Sequence, residues 1–348
     1  MKTVRKNELK GSTALSGYVA DSFQTFDQAT IDSAGAFLVG ELERLDPMIH
    51  EPLVAYTWSR DIDLRTDVQI GDESCSFTRS TFGMGGTPAN GVNWASKDQT
   101  AIPRTTIDIG KFVSPLDLLT YEVAYTIPEL KSAELTGRPI DSQMLTGMNL
   151  KHQMDMDQLV YIGDSNVSGS TGLVNSDTVI TNVANVATGA GGGLTWASKS
   201  PEEILADVNE LLVSVWAATG YAEPPTKLLI APGPFGYITS QVLSIGGVGA
   251  GVETIYSFLQ RKNVMTAEKG IELDIKAVKW LDHTYRGVST DRMFAYNQQY
   301  KYVRFPMVPL QPVQPQPRGI WIAVPYYGRA AHGPEWVYTE VAGARDGI

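Results

Sequence analysis

Two stretches decide how this chain is read: YEVAYTIPELKSAELTGRPID at residues 121–141 and DMDQLVYIGDSNVSGSTGLVN at residues 155–175. The first predicts a short strand, TYEVAYTI, running into a helix over PELKSAELTG, because Pro128 suits a first helical turn and Gly137 a C-cap. A longer helix follows at once, from Pro139 to Ile162. On it Leu145, Met148, His152, Met156, Leu159 and Val160 share one stripe that stops at Gly163. Methionines on such a stripe belong to core packing far more often than to a ligand box. His152 accordingly reads as a packed or hydrogen-bonded histidine, not as a ligand or base.

Upstream, residues 56–114 change to the period-two pattern of strands, punctuated by Gly and Pro. One strand runs through CSFTRSTFG (75–83) and another through RTTIDIGKF (104–112), where Ile107, Ile109 and Phe112 mark the apolar positions. The nineteen residues between them, GGTPANGVNWASKDQTAIP, are polar and rich in Gly and Pro, with Trp94 standing alone. Structureless loops longer than ~12–15 residues are uncommon inside a compact domain. The expectation is a hairpin that projects from the body. Before it, DQATIDSAGAFLVGELERLDP carries Ile31, Ala34, Phe37, Leu38, Leu42 and Leu45 at helical spacing, with Pro47 past the end. Residues 1–25 have the Ser, Gly and Thr content of a mobile arm.

Downstream, GDSNVSGSTGLVNSDTVITNV predicts a loop and a short strand, and ATGAGGGLTWASKS a flexible link at a boundary. Ser200, Pro201 and Glu203 then form a capping arrangement that opens a helix through Ile204, Val208, Leu211, Leu212 and Val215 to Gly220. Residues 221–283 read as strand, helix and strand: TKLLIAP, the turn GGVGAG, the helix VETIYSFLQRKN and the strand IELDIKAVKWL. From Arg292 the text is β again, through RMFAYN, KYVRFPMVPLQPVQPQ, GIWIAVPYY and EWVYTEV. This order suits an α+β chain whose C-terminal strands return to the first body.

The 348 residues allow one large domain or two. The single cysteine, Cys75, excludes an internal disulfide, and MKTVRKNELKGS lacks the apolar run of a leader, so a cytoplasmic product is expected. No apolar run approaches the ~20 residues of a membrane span. A formal charge of -10 opposes a dedicated nucleic-acid binder. Charged residues make up 19% against 43% hydrophobic, a low charged share that either subunit contacts or a large core would explain.

Motifs for chemistry are missing. His50, His152, His283 and His332 are scattered without metal-ligand spacing, and one cysteine builds no zinc cluster. GMGGTPANG has Pro88 where G-x-G-x-x-G needs its last Gly, GGVGAGV ends on Val252, and Ala197 and Ser198 precede Lys199 where a P-loop needs Gly. Asp155 and Asp157, two apart on a helix, are expected on a solvated surface. FPMVPLQPVQPQPRG is expected to be an edge strand or rigid connector sooner than a polyproline ligand.

In the order of its parts the sequence resembles the major capsid proteins of tailed bacteriophages, which share the Hong Kong 97 fold. Many of these show a strand entering an acidic-Leu helix, then a spine helix that closes on a Gly-Asp turn and a Gly-Leu-x-Asn segment. The matching residues are Glu129 and Leu130, Gly163 and Asp164, and Gly172, Leu173 and Asn175. The resemblance implies an α+β fold with these parts: an N-terminal arm and amphipathic helix at 1–71, an extended E-loop hairpin at 72–114, and an axial domain at 190–283. A peripheral domain at 115–189 and 284–348 would include the spine helix 139–162.

The same resemblance implies a structural protein, not an enzyme, without cofactor or metal. It would self-assemble through pentameric and hexameric rings into an icosahedral head around double-stranded DNA, made in the host cytoplasm and located in the virion. Expected partners are other copies of the chain, a separate scaffolding protein, a portal, a decoration protein and packaged DNA touched non-specifically, with no membrane. Expected subunit-interface residues are Phe82, Met84, Trp94 and Lys97 on or beside the hairpin, and Gly246, Gly249 and Gly251 in the turn near the ring axis. Some relatives crosslink an E-loop Lys to a neighbour's Asn; Lys97 stands at the tip, with no partner evident. Two other readings remain: an encapsulin-type cargo shell of the same fold, and an acidic cytosolic oligomeric enzyme with an α/β substrate domain.

Overall fold

A computed structural model describes residues 54–84, 104–136, 140–244, 252–286 and 288–348. The expected arm, the helix over 27–47, the loop 85–103 and the turn 246–251 lie outside the described residues. A short helix α1 (Trp58–Asp61) and strand β1 (Leu64–Arg65) lead to β2 (Ser74–Met84) and β3 (Thr105–Thr126). Helices α2 (Ile127–Thr136) and α3 (Ile140–Tyr161) follow, then β4 (Val183–Asn185) and α4 (Pro201–Ala218). Next come β5 (Lys227–Ile230), α5 (Pro232–Ser240), the pair β6 (Val242–Ser244) and β7 (Val252–Thr254), α6 (Ile255–Arg261), α7 (Val264–Lys269) and β8 (Asp274–Ala277). The chain ends through α8 (His283–Arg286), β9 (Arg292–Tyr296), β10 (Val303–Pro312), β11 (Gln316–Arg318), β12 (Trp321–Ala331), β13 (Glu335–Trp336) and β14 (Ala342–Asp346).

The strands form two main sheets. The first has the order β1-β10-β12-β3-β2, with β11 on β12 and β13 on β10; the second has the order β4-β14-β9-β5-β8. The expected strands at 104–112 and 120–127 are one strand, β3, and Pro115 does not break it because β3 changes partner there. Thr105–Pro115 face Met84–Ser74 of β2, while Leu116–Thr126 face Ala331–Trp321 of β12. Proline costs a central strand a ladder bond. At the changeover the cost is avoided, and the next amide, Leu116 N–H, donates to Glu73 O at 3.0 Å.

Helix α4 starts at the expected capping box, with Ser200 and Glu203 satisfying each other's backbone N–H groups. Its buried face, Ile204, Val208, Leu211, Leu212 and Val215, packs with Leu228, Ile230, Met293 and Ala295 of the fully buried strands β5 and β9. Each such side chain contributes about 2 kcal/mol of apolar burial. On α3 the stripe buries Met148, His152, Met156 and Val160, whereas Leu145 at its start is exposed. Met156, Val160 and Tyr161 join Phe294, Tyr296, Phe305 and Trp336 in a second core.

Several expectations are corrected. Helices α5 and α7 were hidden by their composition: α5 begins PGPFG, and α7 is six residues long, capped by Asn263 and ended by Gly270 at φ 67. The supposed flexible link is packed, because Trp196 is buried and both its indole N–H and the Lys199 ammonium donate to Asp207 Oδ2, at 3.2 and 2.5 Å. The Pro-rich segment is an edge strand over most of its length, as expected: Phe305 and Pro306 also face β1, but among the described residues Met307–Pro312 and β11 pair with β12 alone, and a register shift between Val308 and Gln311 accommodates Pro309. Of the C-terminal strands, β10 to β13 join the first sheet but β9 and β14 join the second. Asp157 is fully buried, not solvated: it accepts from Thr57 N–H (2.8 Å), Trp58 N–H (3.1 Å) and Trp280 Nε1 (2.6 Å), and pairs with Lys279 Nζ at 3.0 Å.

Candidate assembly surface

Beyond the changeover at Pro115, β2 and the first half of β3 form a two-stranded ribbon. Among the described residues no strand lies beside either outer edge of it. Residues two apart share a face of a strand, and the register pairs Phe82 with Ile107 and Ser80 with Ile109. One ribbon face therefore carries Phe82, Ile107, Ile109 and Val113, which are 68%, 60%, 66% and 57% exposed. The other face carries Thr81, Arg79 and Asp108, with Phe77 stacked on Phe112 at 5.2 Å between ring centroids. An isolated hairpin is marginal in water, and an apolar face with open edges is a template for pairing.

The root of this ribbon is rigid. Glu335, fully buried, accepts from Arg65 (3.1 Å) and Arg304 (2.8 Å), and the Cys75 thiol donates to it at 3.0 Å. Burial and the neighbouring Glu335 push that thiol's pKa up to about 12. Arg329 adds two bonds from its guanidinium, to Ile70 O (2.7 Å) and Leu116 O (2.8 Å), where β3 changes partner. A buried charge cluster of this kind is costly to break on one side, because the remaining charge is then unpaired.

The short motifs that carried the resemblance have physical causes. Glu129 accepts from Thr126 N–H at 2.9 Å while its own N–H reaches Thr126 Oγ1 at 3.2 Å, a capping box at the start of α2. Gly163 holds φ 86 at the end of α3, and Asp164 Oδ1 accepts from Asn166 N–H, so the chain reverses there. It then runs back along the helix end, with Leu173 and Val174 N–H donating to Val160 and Tyr161 O at 2.7 and 3.1 Å. A Cβ on Gly172 would lie 2.0 Å from Tyr161 O, so only glycine fits.

Of the interface residues expected from sequence, Phe82 is on the exposed apolar face and Met84 ends β2 opposite Thr105. Trp94, Lys97, Gly246, Gly249 and Gly251 lie outside the described residues. Ile107 and Ile109 were recognised as apolar but not placed at an interface, and Val113 was missed. Their alternation was legible; that no described residue covers them was not. Among the described residues, Asp282, His283 and Asp291 form the one grouping of metal-ligand type, and it is a surface pair: His283 Nδ1 is 2.7 Å from Asp291 Oδ1, a bond that raises the imidazole pKa. No helix of the described residues is long and apolar enough to cross a membrane.

A family model described as major capsid protein matches residues 91–348. The chain belongs to the major capsid protein family. Its fold is shared with the capsid of Myoviridae phage XM1, at TM-score 0.70 and 16% identity over 90% of this chain and 100% of that one. It is also shared with the capsid of an empty GTA particle, at TM-score 0.56 and 13% identity over 88% and 96% of the two chains. The mature capsid of bacteriophage PhiM1 matches at TM-score 0.52 and 12% identity over 87% and 90%. No curated protein matches in sequence. The α+β, Hong Kong 97-type fold expected from the order of parts is the one observed, and the capsid protein's role is structural.

Proposed function

We propose that this capsid protein assembles through rings of five and six into a closed icosahedral head around double-stranded DNA, each subunit laying its hairpin on the next. The observation that carries the reading is the ribbon face of Phe82, Ile107, Ile109 and Val113, which no described residue covers. A hairpin that leaves its own sheet and offers an apolar face needs a second copy to bury it. One such heterologous contact, repeated and closed, makes a ring, and avidity across many rings lets each contact be modest.

On this reading Phe82, Met84, Trp94 and Lys97 contribute to contacts beside the hairpin, and Gly246, Gly249 and Gly251 to a turn near the ring axis. The shell is made in the host cytoplasm and becomes part of the virion. A separate scaffolding protein, a portal and a decoration protein are its further partners, and the packaged DNA is touched without sequence preference.

Deleting residues 86–102 tests the reading. The expected product is a folded subunit that builds no closed particles when examined by electron microscopy beside the full chain. Normal shells from the deleted protein would refute the hairpin's role, and a discrete dimer from the full chain under every assembly condition would refute shell formation itself.

A further inference from the structure

The ribbon belongs to the first sheet, yet one of its side chains reaches the strand-end of the second. Arg79 lies on the face opposite Phe82, and its Nη2 stands 3.0 Å from Glu340 Oε1. The same guanidinium sits 5.2 Å from the centroid of the Tyr338 ring. Tyr338 and Glu340 flank and occupy the turn Thr339–Val341, which leads straight into β14 of the second sheet, with Val341 buried in the core. At the root, Cys75, Glu335, Arg65 and Arg304 are fixed. Outward of it, with both edges open, the inclination of the ribbon depends on what touches its inner face.

We propose that the Arg79–Glu340 contact, roofed by Tyr338, is a latch that sets the angle of the hairpin against the second sheet. The latch is an addition to the shell-forming role and does not rest on it. Both side chains are about a third exposed, at 35% and 41%. Such ion pairs are weak and weaken further with salt, and a cation over a tyrosine ring adds a comparable amount. The latch therefore biases the hairpin's angle without locking it, and a neighbouring subunit pulling on the ribbon can release it. Beside it lies an open groove of about 720 Å³ bordered by Thr219, Glu223 and Lys301, which leaves the guanidinium room to swing.

Distances between nitroxide labels test the latch on the full chain, with labelled subunits diluted into unlabelled ones. Thr81→Cys on the ribbon and Glu202→Cys at the start of α4 are both exposed attachment sites. Buried Cys75 stays unlabelled in the folded protein. The expected result is one narrow distance for the latched protein. Arg79→Ala, Glu340→Gln or about 1 M NaCl should each raise a second distance population by about three- to ten-fold. The exchanged pair Arg79→Glu with Glu340→Arg should restore the narrow distribution. Single variants that keep the wild-type distribution overturn the proposal. Broadening that the exchanged pair does not reverse also overturns it, by assigning the angle to arginine packing on Tyr338 instead.

Discussion

Replacing Phe82, Ile107 and Ile109 together by threonine removes most of the apolar ribbon face while keeping residues that suit a strand. In the lone subunit these side chains are 68%, 60% and 66% exposed, so about two side chains' worth of apolar surface is left for a partner to cover. At about 2 kcal/mol per side chain, covering it contributes roughly 4 kcal/mol to each contact before the cost of ordering the partner. Threonine retains a methyl group, so the loss is about 3 kcal/mol, or about a hundred-fold in the subunit concentration needed for assembly. The subunit's own stability should fall by only about 1.5 kcal/mol, because just one side chain's worth of this surface is buried in the lone subunit. Light scattering and electron microscopy over a concentration series, beside thermal unfolding of the unassembled subunit, separate the two quantities. Particles forming at the wild-type concentration would refute the burial argument; so would a large fall in unfolding temperature, which would mean that the face is covered by its own chain.

Asp157→Asn should destabilise the subunit by about 3 kcal/mol in urea unfolding, since it leaves the buried Trp58 amide, the part-buried Trp280 indole N–H and the Lys279 ammonium facing a neutral group; a loss under ~1 kcal/mol would show that the site relaxes. Gly172→Ala places a methyl group against Tyr161 O and should cost at least ~4 kcal/mol, read as loss of soluble folded protein, so normal yield and stability would contradict the close approach. Burial alone would raise the Asp346 carboxyl, but hydrogen bonds and charges from Arg292 and Arg286 more than offset it and hold its pKa below the usual carboxylate range. The stability it contributes is thus fully present above the unfolded value of ~3.9 and is lost as pH falls through the lower folded value. Asp346→Asn should be less stable at pH 7 and should lose less on acidification below about pH 4, so urea midpoints that fall in parallel with wild type would contradict this.

How far the sequence could be read depended on whether a feature is local. The capping box at Ser200 and Glu203, the stripe on α3 and the stop at Gly163 involve residues within a turn or two of each other, so they were legible. Helix α5 was not, because its glycines and prolines argue against a helix and only packing on the second sheet overrides them. Asp157 looked solvated beside Asp155; its partners, Thr57, Trp58, Lys279 and Trp280, are about 100 residues or more away along the chain. Trp196 and Lys199 looked mobile among glycines, yet Asp207 on α4 fixes both.

The sequence by itself determined the order and kind of most elements, because hydrophobic period, caps and turn residues act over a few bonds. Only the tertiary structure decided which edges pair. It placed Pro115 at a change of partners, so that one strand serves both the body and the hairpin, and it left Phe82, Ile107 and Ile109 uncovered. Pairing and burial are set by residues far apart in the chain, and alternation along a strand shows that a face is apolar without showing what lies against it.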